Sequence, residues 1–244
     1  MKFTVDKSQR DFYQKFGWIE FDDFLSKEKL AQVNDFTDQV MGERLNVPTT
    51  QISRCYSDEL FVQGHDLWRS LSDLKKFISQ PLFGTIASEL IEKKPLRLGY
   101  DQLIPAPLVF SDFRLTTSDN QKIYQQFKDQ TESLEKVSSI NLLLGGAIIC
   151  LNGEGDLEDY PVSEEGINVF PSKPGQIIFF KPGVPIRWNL LDQCKGQHFY
   201  LIVYTEEMSF FQPSPLDPHA RALKKLGYVM HDKLTDKLNP IVYR

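Results

Sequence analysis

One stretch of the sequence decides the fold, namely Leu96-Arg97-Leu98-Gly99-Tyr100-Asp101-Gln102-Leu103-Ile104. Its apolar and polar residues alternate, which is typical of a strand with one buried face. Further strands are predicted at 109–115, 140–151, 176–180 and 199–205, with turns that contain Gly or Pro between them. This spacing favours an antiparallel jelly roll over alternating βαβ units.

The residues before this stretch have the periodicity of helices. Ser26 is a suitable N-cap, and apolar residues follow it at helical spacing between 30 and 40. A second amphipathic helix is predicted at about 66–78, and Pro81 opens a third. The class predicted from the sequence is therefore mainly β with flanking helices, an α+β arrangement.

We expect a single domain over residues 1–244. Its parts are a mainly helical segment to residue 95, a β core over 96–205 and a tail over 206–244 that packs on the core. The polar interval 116–138 is predicted to be a helix or an excursion from the sheet. The acidic segment 153–166 is predicted to be a solvated loop.

The composition excludes several classes of protein. Apolar residues make up 41% and charged residues 25%, as in an ordinary globular protein. No apolar window reaches the roughly 18 residues of a membrane span, and the first residues lack the apolar stretch of a signal peptide, so we expect a cytoplasmic protein. A net charge of −5 without basic runs argues against nucleic acid as a partner. The three cysteines are widely spaced and are expected to be reduced thiols.

Four segments resemble the phytanoyl-CoA dioxygenase family, and they occur in the family's order. They read FYQKFGWIEFDDFLS at 12–26, DLW at 66–68, LRLGYDQ at 96–102 and PGQIIFFKPG at 174–183. The resemblance implies a cupin-like double-stranded β-helix that holds ferrous iron and 2-oxoglutarate at its open end. It also implies the hydroxylation or halogenation of small molecules.

The same resemblance shows which functional groups this sequence lacks. The family binds iron with an early His-x-Asp motif and a lone histidine near the end of the barrel, because oxygen activation needs two histidines and a carboxylate around the metal. If Asp112 matches the carboxylate, Phe110 stands where the first histidine should be. Ile186 falls at the second histidine, and the arginine that would pair with 2-oxoglutarate falls at Gln197 or His198. Three of the four expected groups are therefore missing.

Five residues remain as candidates for ligand binding: Tyr100, Gln102, Asp112, Arg187 and His198. Tyr100 and Gln102 share one face of their strand and could line a cavity. Arg187 could hold an anionic group at the barrel mouth. No metal site is expected, and Asp112 and His198 are the remaining metal-ligand candidates.

The other histidines are assigned mainly structural roles. His65 is expected at the surface or at a helix cap. His219 and His231 belong to the tail and are expected to be solvated, although a tail that folds over the barrel mouth would bring one of them inward.

Three functions are compatible with these observations. The favoured hypothesis is a divergent family member that has lost iron-dependent oxidation and acts as a small-molecule binder or interaction protein. The alternative is an oxygenase that uses Fe(II) and 2-oxoglutarate with a changed ligand set of Asp112, His198 and a tail histidine. The third is a regulatory or structural partner whose binding surface is the helical face or the acidic loop. A barrel filled with bulky side chains would favour this third hypothesis.

Overall fold

The computed structural model describes residues 4–107, 118–153, 170–194 and 196–244. Within them the strands are β1 Trp18–Phe21, β2 Leu96–Pro105, β3 Leu143–Cys150, β4 Ile177–Phe180, β5 His198–Thr205 and β6 Ile241–Tyr243. They form one antiparallel sheet in the order β1-β4-β3-β5-β2-β6. Four of the strand predictions are confirmed in type, and the prediction at 109–115 lies outside the described residues.

Helices dominate the chain before β2, as the sequence predicts. The α-helices are α1 Lys7–Phe16, α2 Lys27–Leu45, α3 Ser57–Gln63, α4 Ser72–Ile78, α5 Pro81–Ile91, α6 Asp119–Lys128, α7 Leu134–Val137 and α8 Ala222–Lys225. Short 3₁₀ turns lie at Thr49–Arg54, Leu67–Arg69 and Trp188–Gln193. The helix expected at 66–78 is thus a 3₁₀ turn followed by α4, and the polar interval 116–138 contributes α6 and α7.

Capping residues set the limits of the longest helix. The Ser26 hydroxyl accepts a hydrogen bond from the Lys29 backbone N–H at the start of α2, as its sequence position predicts. Asn46 ends α2 in the left-handed conformation that favours asparagine and glycine. The sequence prediction missed α1, although Asp6 and Gln9 form a capping box at its start.

Strand alternation divides the sheet into two faces. In β5, Tyr200, Ile202 and Tyr204 belong to the apolar cluster that packs under α2, α4 and α5; we call this side the helix-covered face. Leu201 and Val203 point to the other side, the inner face, and pack with residues of α3, α6, the 188–193 turn and the tail. A functional cavity inside the curled sheet must therefore be lined from the inner face.

The tail packs on the core, as the sequence predicts. Strand β6 pairs with β2, and the Asn239 side-chain amide donates hydrogen bonds to the carbonyl oxygens of Leu98 (3.1 Å) and Gly99 (2.6 Å). The Arg97 guanidinium forms an ion pair with Asp236 at 2.8 Å. The tail is thereby fixed against the strand that carries Tyr100 and Gln102.

The cysteines are free thiols, and Cys150 and Cys194 are buried. Burial raises the pKa of each of these two thiols to about 12, so neither is a thiolate near neutral pH. Among the described residues, no helix combines the length and the apolar character needed to cross a bilayer.

Candidate functional site

A small cavity of about 30 Å³ lies on the inner face of the sheet. Its walls combine aromatic, aliphatic and polar side chains from β2, β5, α3, α6, α7, the 188–193 turn and the tail; among them are Phe61, His65, Tyr100, Gln102, Phe127, Trp188 and His219. A second void of about 20 Å³ adjoins it and shares His65, Tyr100, Ser138, Asp217 and His219 as walls. Each void has room for about one water molecule.

Tyr100 and Gln102 reach the cavity through the alternation of β2. They pair across the sheet with Val203 and Leu201 on β5, and Leu201 is also a cavity residue. Asp101 lies between them and points to the helix-covered face. Both residues therefore line this void, and their role in ligand binding stays a prediction.

His65 reaches the cavity because its backbone is added to the edge of β2. The Leu103 N–H donates to the Gly64 carbonyl at 2.8 Å, and the Asp66 N–H donates to the Asp101 carbonyl at 2.9 Å. The Arg44 guanidinium fixes this turn by donating to the carbonyl oxygens of His65 (2.7 Å) and Asp66 (3.0 Å). The expectation that His65 is a surface or capping residue is wrong, because the sequence does not reveal this pairing.

His219 enters from the tail. The Asp217 carboxylate accepts hydrogen bonds from the backbone N–H groups of Ser139 and His219, both at 2.8 Å, and so fastens the tail over the cavity. The imidazole of His219 lies 4.3 Å from that of His65, centroid to centroid, and the Tyr100 ring stacks with His65 at a centroid distance of 5.3 Å. The solvated position expected for His219 is wrong, whereas His231 is exposed as expected.

Both cavity histidines are held in the neutral form. Burial lowers the pKa of His65 to about 3, with a smaller contribution from the charges of Arg69 and Arg44. Burial also lowers the pKa of His219 well below its usual range, and the neighbouring His65 adds to this effect. Near neutral pH the cavity therefore presents uncharged imidazoles.

Two buried polar atoms at the cavity have no partner among the described residues: Gln102 Oε1 and His219 Nε2. The orientation of the Gln102 amide is fixed, because its Nε2 donates to the carbonyl oxygens of Phe61 at 2.8 Å and Leu103 at 2.6 Å. Its oxygen is therefore an acceptor that a bound molecule could satisfy. A buried acceptor without a partner costs about 1–3 kcal/mol, so binding a donor there is favourable.

Asp101 supports the cavity strand from the helix-covered face. Its Oδ2 accepts hydrogen bonds from the Trp68 backbone N–H at 3.0 Å and from the Tyr200 hydroxyl. Its Oδ1 is buried and has no partner in the described part of the chain. Burial, helped by the nearby charge of Asp66, raises the pKa of Asp101 from 3.8 to about 7.

Asp101→Asn should therefore remove a pH dependence of stability. Between about pH 4 and pH 7 the folded protein holds a proton on Asp101 that the unfolded chain has released, so the wild-type free energy of unfolding falls as pH rises and levels off above about 7. We expect the wild-type advantage over Asp101→Asn to shrink by at least about 1.4 kcal/mol across this range, the equivalent of one pKa unit. Urea denaturation of both proteins at half-unit pH intervals measures this change in the stability difference. Parallel curves of unfolding free energy against pH would contradict the prediction.

The structure does not bring His198 or Arg187 to the cavity. His198 has the strand phase of Tyr200 and so belongs to the helix-covered face, where it is half-buried. Arg187 is exposed and is not a cavity residue. Gln197 is buried and donates to the Ser172 carbonyl at 3.2 Å. Asp112 lies outside the described residues.

Several solved structures share this fold. The non-haem α-ketoglutarate-dependent carbocyclase SnoK from nogalamycin biosynthesis has a TM-score of 0.64 at 14% identity, over 97% of this chain and 96% of its own. The epimerase SnoN from the same biosynthesis has a TM-score of 0.58 at 12% identity, over 96% of this chain and 97% of its own. CytC3, solved with Fe(II) and α-ketoglutarate, has a TM-score of 0.54 at 12% identity, over 88% of this chain and 82% of its own.

No protein-family model matches this chain, and no curated protein sequence matches it. The structural likenesses establish the fold: a mixed helix and strand protein with a curled antiparallel sheet, like those of non-haem iron enzymes that use 2-oxoglutarate. At identities this low they say nothing about activity.

The histidines present do not fit the iron site of such enzymes. All four of them lie in the described part of the chain. His198 and His231 do not line the cavity, so at most two imidazoles, those of His65 and His219, are present there. Within residues 4–107, 118–153, 170–194 and 196–244, no three His, Cys, Asp or Glu side chains are placed to hold a metal.

Ile186, which the family resemblance aligns with the distal histidine, has apolar surroundings. Ile186 is 2% exposed and belongs to the inner-face cluster together with Trp188 and Phe180. The alternative ligand set of Asp112, His198 and a tail histidine is not favoured, because His198 and His219 lie on opposite sides of the sheet.

Proposed function

We propose that this chain is a small-molecule-binding protein on the double-stranded β-helix of phytanoyl-CoA dioxygenase-like proteins, without a histidine-held iron. The observation that carries the proposal is the cavity with two buried, unpartnered polar atoms, Gln102 Oε1 and His219 Nε2. Ligand sites in proteins are commonly apolar recesses with a few fixed polar groups, and this cavity has that composition.

The inner-face location also supports ligand binding. Tyr100, Gln102 and Leu201 project from the neighbouring strands β2 and β5, whose backbones pair without a register shift from Tyr100 to Pro105. The position of Gln102 is further fixed by its two hydrogen bonds to carbonyl oxygens. Side chains held in this way bind a ligand without a large loss of conformational entropy.

The chemistry of the site supports the absence of iron-dependent oxidation. Ferrous iron in these oxygenases needs two imidazole nitrogens and a carboxylate with open positions beside them. Among the described residues no group of three His, Cys, Asp or Glu side chains is placed to hold a metal, and the residue that the family resemblance aligns with the distal histidine is the buried Ile186. We therefore assign no oxidative step to the protein.

Ligand binding can be followed by the fluorescence of Trp188, which is 1% exposed and lines the cavity. We expect compounds that change this fluorescence to lose at least tenfold in affinity in Val137→Phe, because Val137 is a buried cavity residue and the larger ring fills the space. Val229→Phe is the matched control, since Val229 is 64% exposed and distant from the cavity lining. Trp188→Phe identifies the part of the signal that comes from the cavity.

The same preparation tests the iron assignment. Anaerobic calorimetric titration with ferrous iron and 2-oxoglutarate should show no stoichiometric binding of the pair. Tight one-to-one binding of both, abolished by His219→Ala, would contradict the proposal and establish an oxygenase-type site.

A second candidate function, an interaction protein without a ligand, is favoured by the small size of the cavity. About 30 Å³ holds a water molecule and not a metabolite unless the walls move. The inner face is otherwise filled by large side chains such as Phe180, Phe199 and Phe211. This candidate predicts that no compound reports through Trp188 and that Val137→Phe leaves the function of the protein unchanged.

A further inference from the structure

The side chain of His219 packs against two aromatic rings, those of His65 and Phe61, and we call the space that it fills beside them the slot. The centroid of its imidazole lies 4.3 Å from that of His65 and 5.3 Å from that of Phe61. The ring is tilted by 31° and 41° to its two neighbours. Aromatic rings at such separations attract each other, so the slot suits one flat ring.

The imidazole fills this slot without completing its polar contacts. His219 Nε2 is buried and has no partner among the described residues, and the same is true of Oε1 of Gln102, another cavity residue. A structural histidine in a protein core normally has both ring nitrogens satisfied or solvated. The imidazole of His219 therefore fills the slot, but Nε2 of His219 and Oε1 of Gln102 have no hydrogen-bond partner among the described residues.

Removal of the imidazole would join two existing voids. The cavities of about 30 Å³ and about 20 Å³ both have His219 as a wall. Together with the volume of the imidazole they form one space the size of a small aromatic ring. For comparison, an engineered apolar cavity of about 150 Å³ binds benzene.

Few long-range hydrogen bonds hold the segment that carries His219. Among the described residues, the Ser139 N–H donates to Asp217 at 2.8 Å and the Gln130 side chain donates to the Leu216 carbonyl at 3.3 Å. The remaining bonds of residues 217–222 are local, such as the Ala222 N–H to the His219 carbonyl. Such a segment can leave the slot while β6 and Asn239 stay attached to β2.

We propose that the slot beside His65 and Phe61 is a binding site for a neutral, planar heteroaromatic ring with an N–H donor, and that His219 occupies it as an internal substitute for this ligand. The ligand ring packs against His65 and Phe61, and its N–H donates to Gln102 Oε1. This inference rests on the proposed function and specifies the ligand class of that cavity.

The chemistry of the walls selects the ligand. Gln102 offers an acceptor with a fixed direction, because both hydrogens of its amide are used by backbone carbonyls. The flanking His65 is neutral, and the Asp217 carboxylate on the cavity wall already accepts hydrogen bonds from the backbone N–H groups of Ser139 and His219. Burial also raises the pKa of Asp217, so a charged ring would lose hydration without a strong counter-ion in return. A ring without an N–H would leave Gln102 Oε1 unsatisfied.

Pyrazole and isoxazole test the proposal, because they have nearly the same size and shape and only pyrazole has an N–H. Calorimetry with the full chain should show that His219→Ala binds pyrazole at least tenfold more tightly than wild type does. His219→Ala should also prefer pyrazole to isoxazole by at least tenfold, a preference that Gln102→Leu removes in the same background. His231→Ala, which changes an exposed histidine of the same tail, should behave as wild type.

A second readout uses the wild-type protein. Saturating pyrazole should displace His219 and make the bond after the exposed Arg221 at least fivefold more susceptible to trypsin, whereas isoxazole at the same concentration should not. This readout remains informative if the Gln102 variant fails to fold.

The possible outcomes separate this inference from the proposed function. Equal affinity of His219→Ala for pyrazole and isoxazole, or an unchanged trypsin rate at saturation, would overturn the inference and indicate a packing defect only. Ligands without a planar ring that report through Trp188 and are blocked by Val137→Phe would leave the proposed function intact. Stoichiometric iron binding would instead overturn the proposed function.

Discussion

Gly145→Ala is expected to lower the free energy of unfolding by about 4 kcal/mol, which for a chain of this size corresponds to a fall of roughly 10 °C in the melting temperature. Gly145 lies in β3 at φ 144°, where residues with a side chain are strained, and at the register shift between β3 and β5. A Cβ there would collide with the backbone carbonyl oxygen of Phe180 on β4. That oxygen belongs to a paired strand and cannot move without breaking the ladder.

Gly227→Ala provides the matched control, because Gly227 also has a positive φ, of 95°, but an added Cβ would meet nothing within 4 Å. Gly227→Ala should lower the free energy of unfolding only by the backbone strain of a positive φ, about 1 kcal/mol. Chemical denaturation of both variants separates strain from collision. Equal losses in the two would show that β3 and β4 relax around the new methyl group.

Arg44→Met should lower the free energy of unfolding by about 3 kcal/mol and also abolish pyrazole binding by the cavity. The Arg44 guanidinium donates to the carbonyl oxygens of His65 and Asp66, and to the Ser70 hydroxyl at 2.8 Å. Methionine retains the apolar stem and leaves these acceptors without a donor. The turn that carries His65 then loses its support, so the slot loses one of its two walls.

Arg44→Lys and Arg54→Met complete this series. A lysine ammonium keeps the charge but cannot reproduce the fork of the guanidinium, so we expect an intermediate loss of stability. Arg54 is exposed, and its replacement should change the free energy of unfolding by less than about 0.5 kcal/mol. Denaturation curves and calorimetry on the same samples measure both effects. A stable Arg44→Met protein with unaltered pyrazole affinity would show that the turn holds His65 without the arginine.

Local patterns in the sequence predicted the parts of the fold that depend on near neighbours. Ser26 begins α2, Pro81 begins α5, and the alternation of β2 places Tyr100 and Gln102 on one face. These features follow from hydrogen bonding and strand geometry over a few residues, which the sequence states directly. The helix expected at 66–78 is interrupted at Leu71, whose extended backbone (φ −135°, ψ 124°) separates the 67–69 turn from α4.

The candidate site needed contacts between distant parts of the chain. His65 reaches the cavity through an edge pairing with β2, and His219 reaches it through Asp217 and Ser139. Neither histidine lies in a sequence motif, so position along the chain gave them no functional role. The sequence offered one indication for His219. It placed this residue in a tail that either leaves it solvated or folds over the barrel mouth and brings it inward. Arg187, adjacent to Trp188 in the sequence, instead lies at the surface.

The sequence by itself determined the mixed helix and strand class, the face on which Tyr100 and Gln102 lie, and the scarcity of imidazoles for a ferrous ion, because residue identity and strand phase are local properties. Only the tertiary structure decided that the tail closes the cavity and that two of the remaining histidines stack there. Such contacts depend on the packing free energy of the whole chain, in which burial of Phe61, His65 and His219 against one another outweighs their hydration.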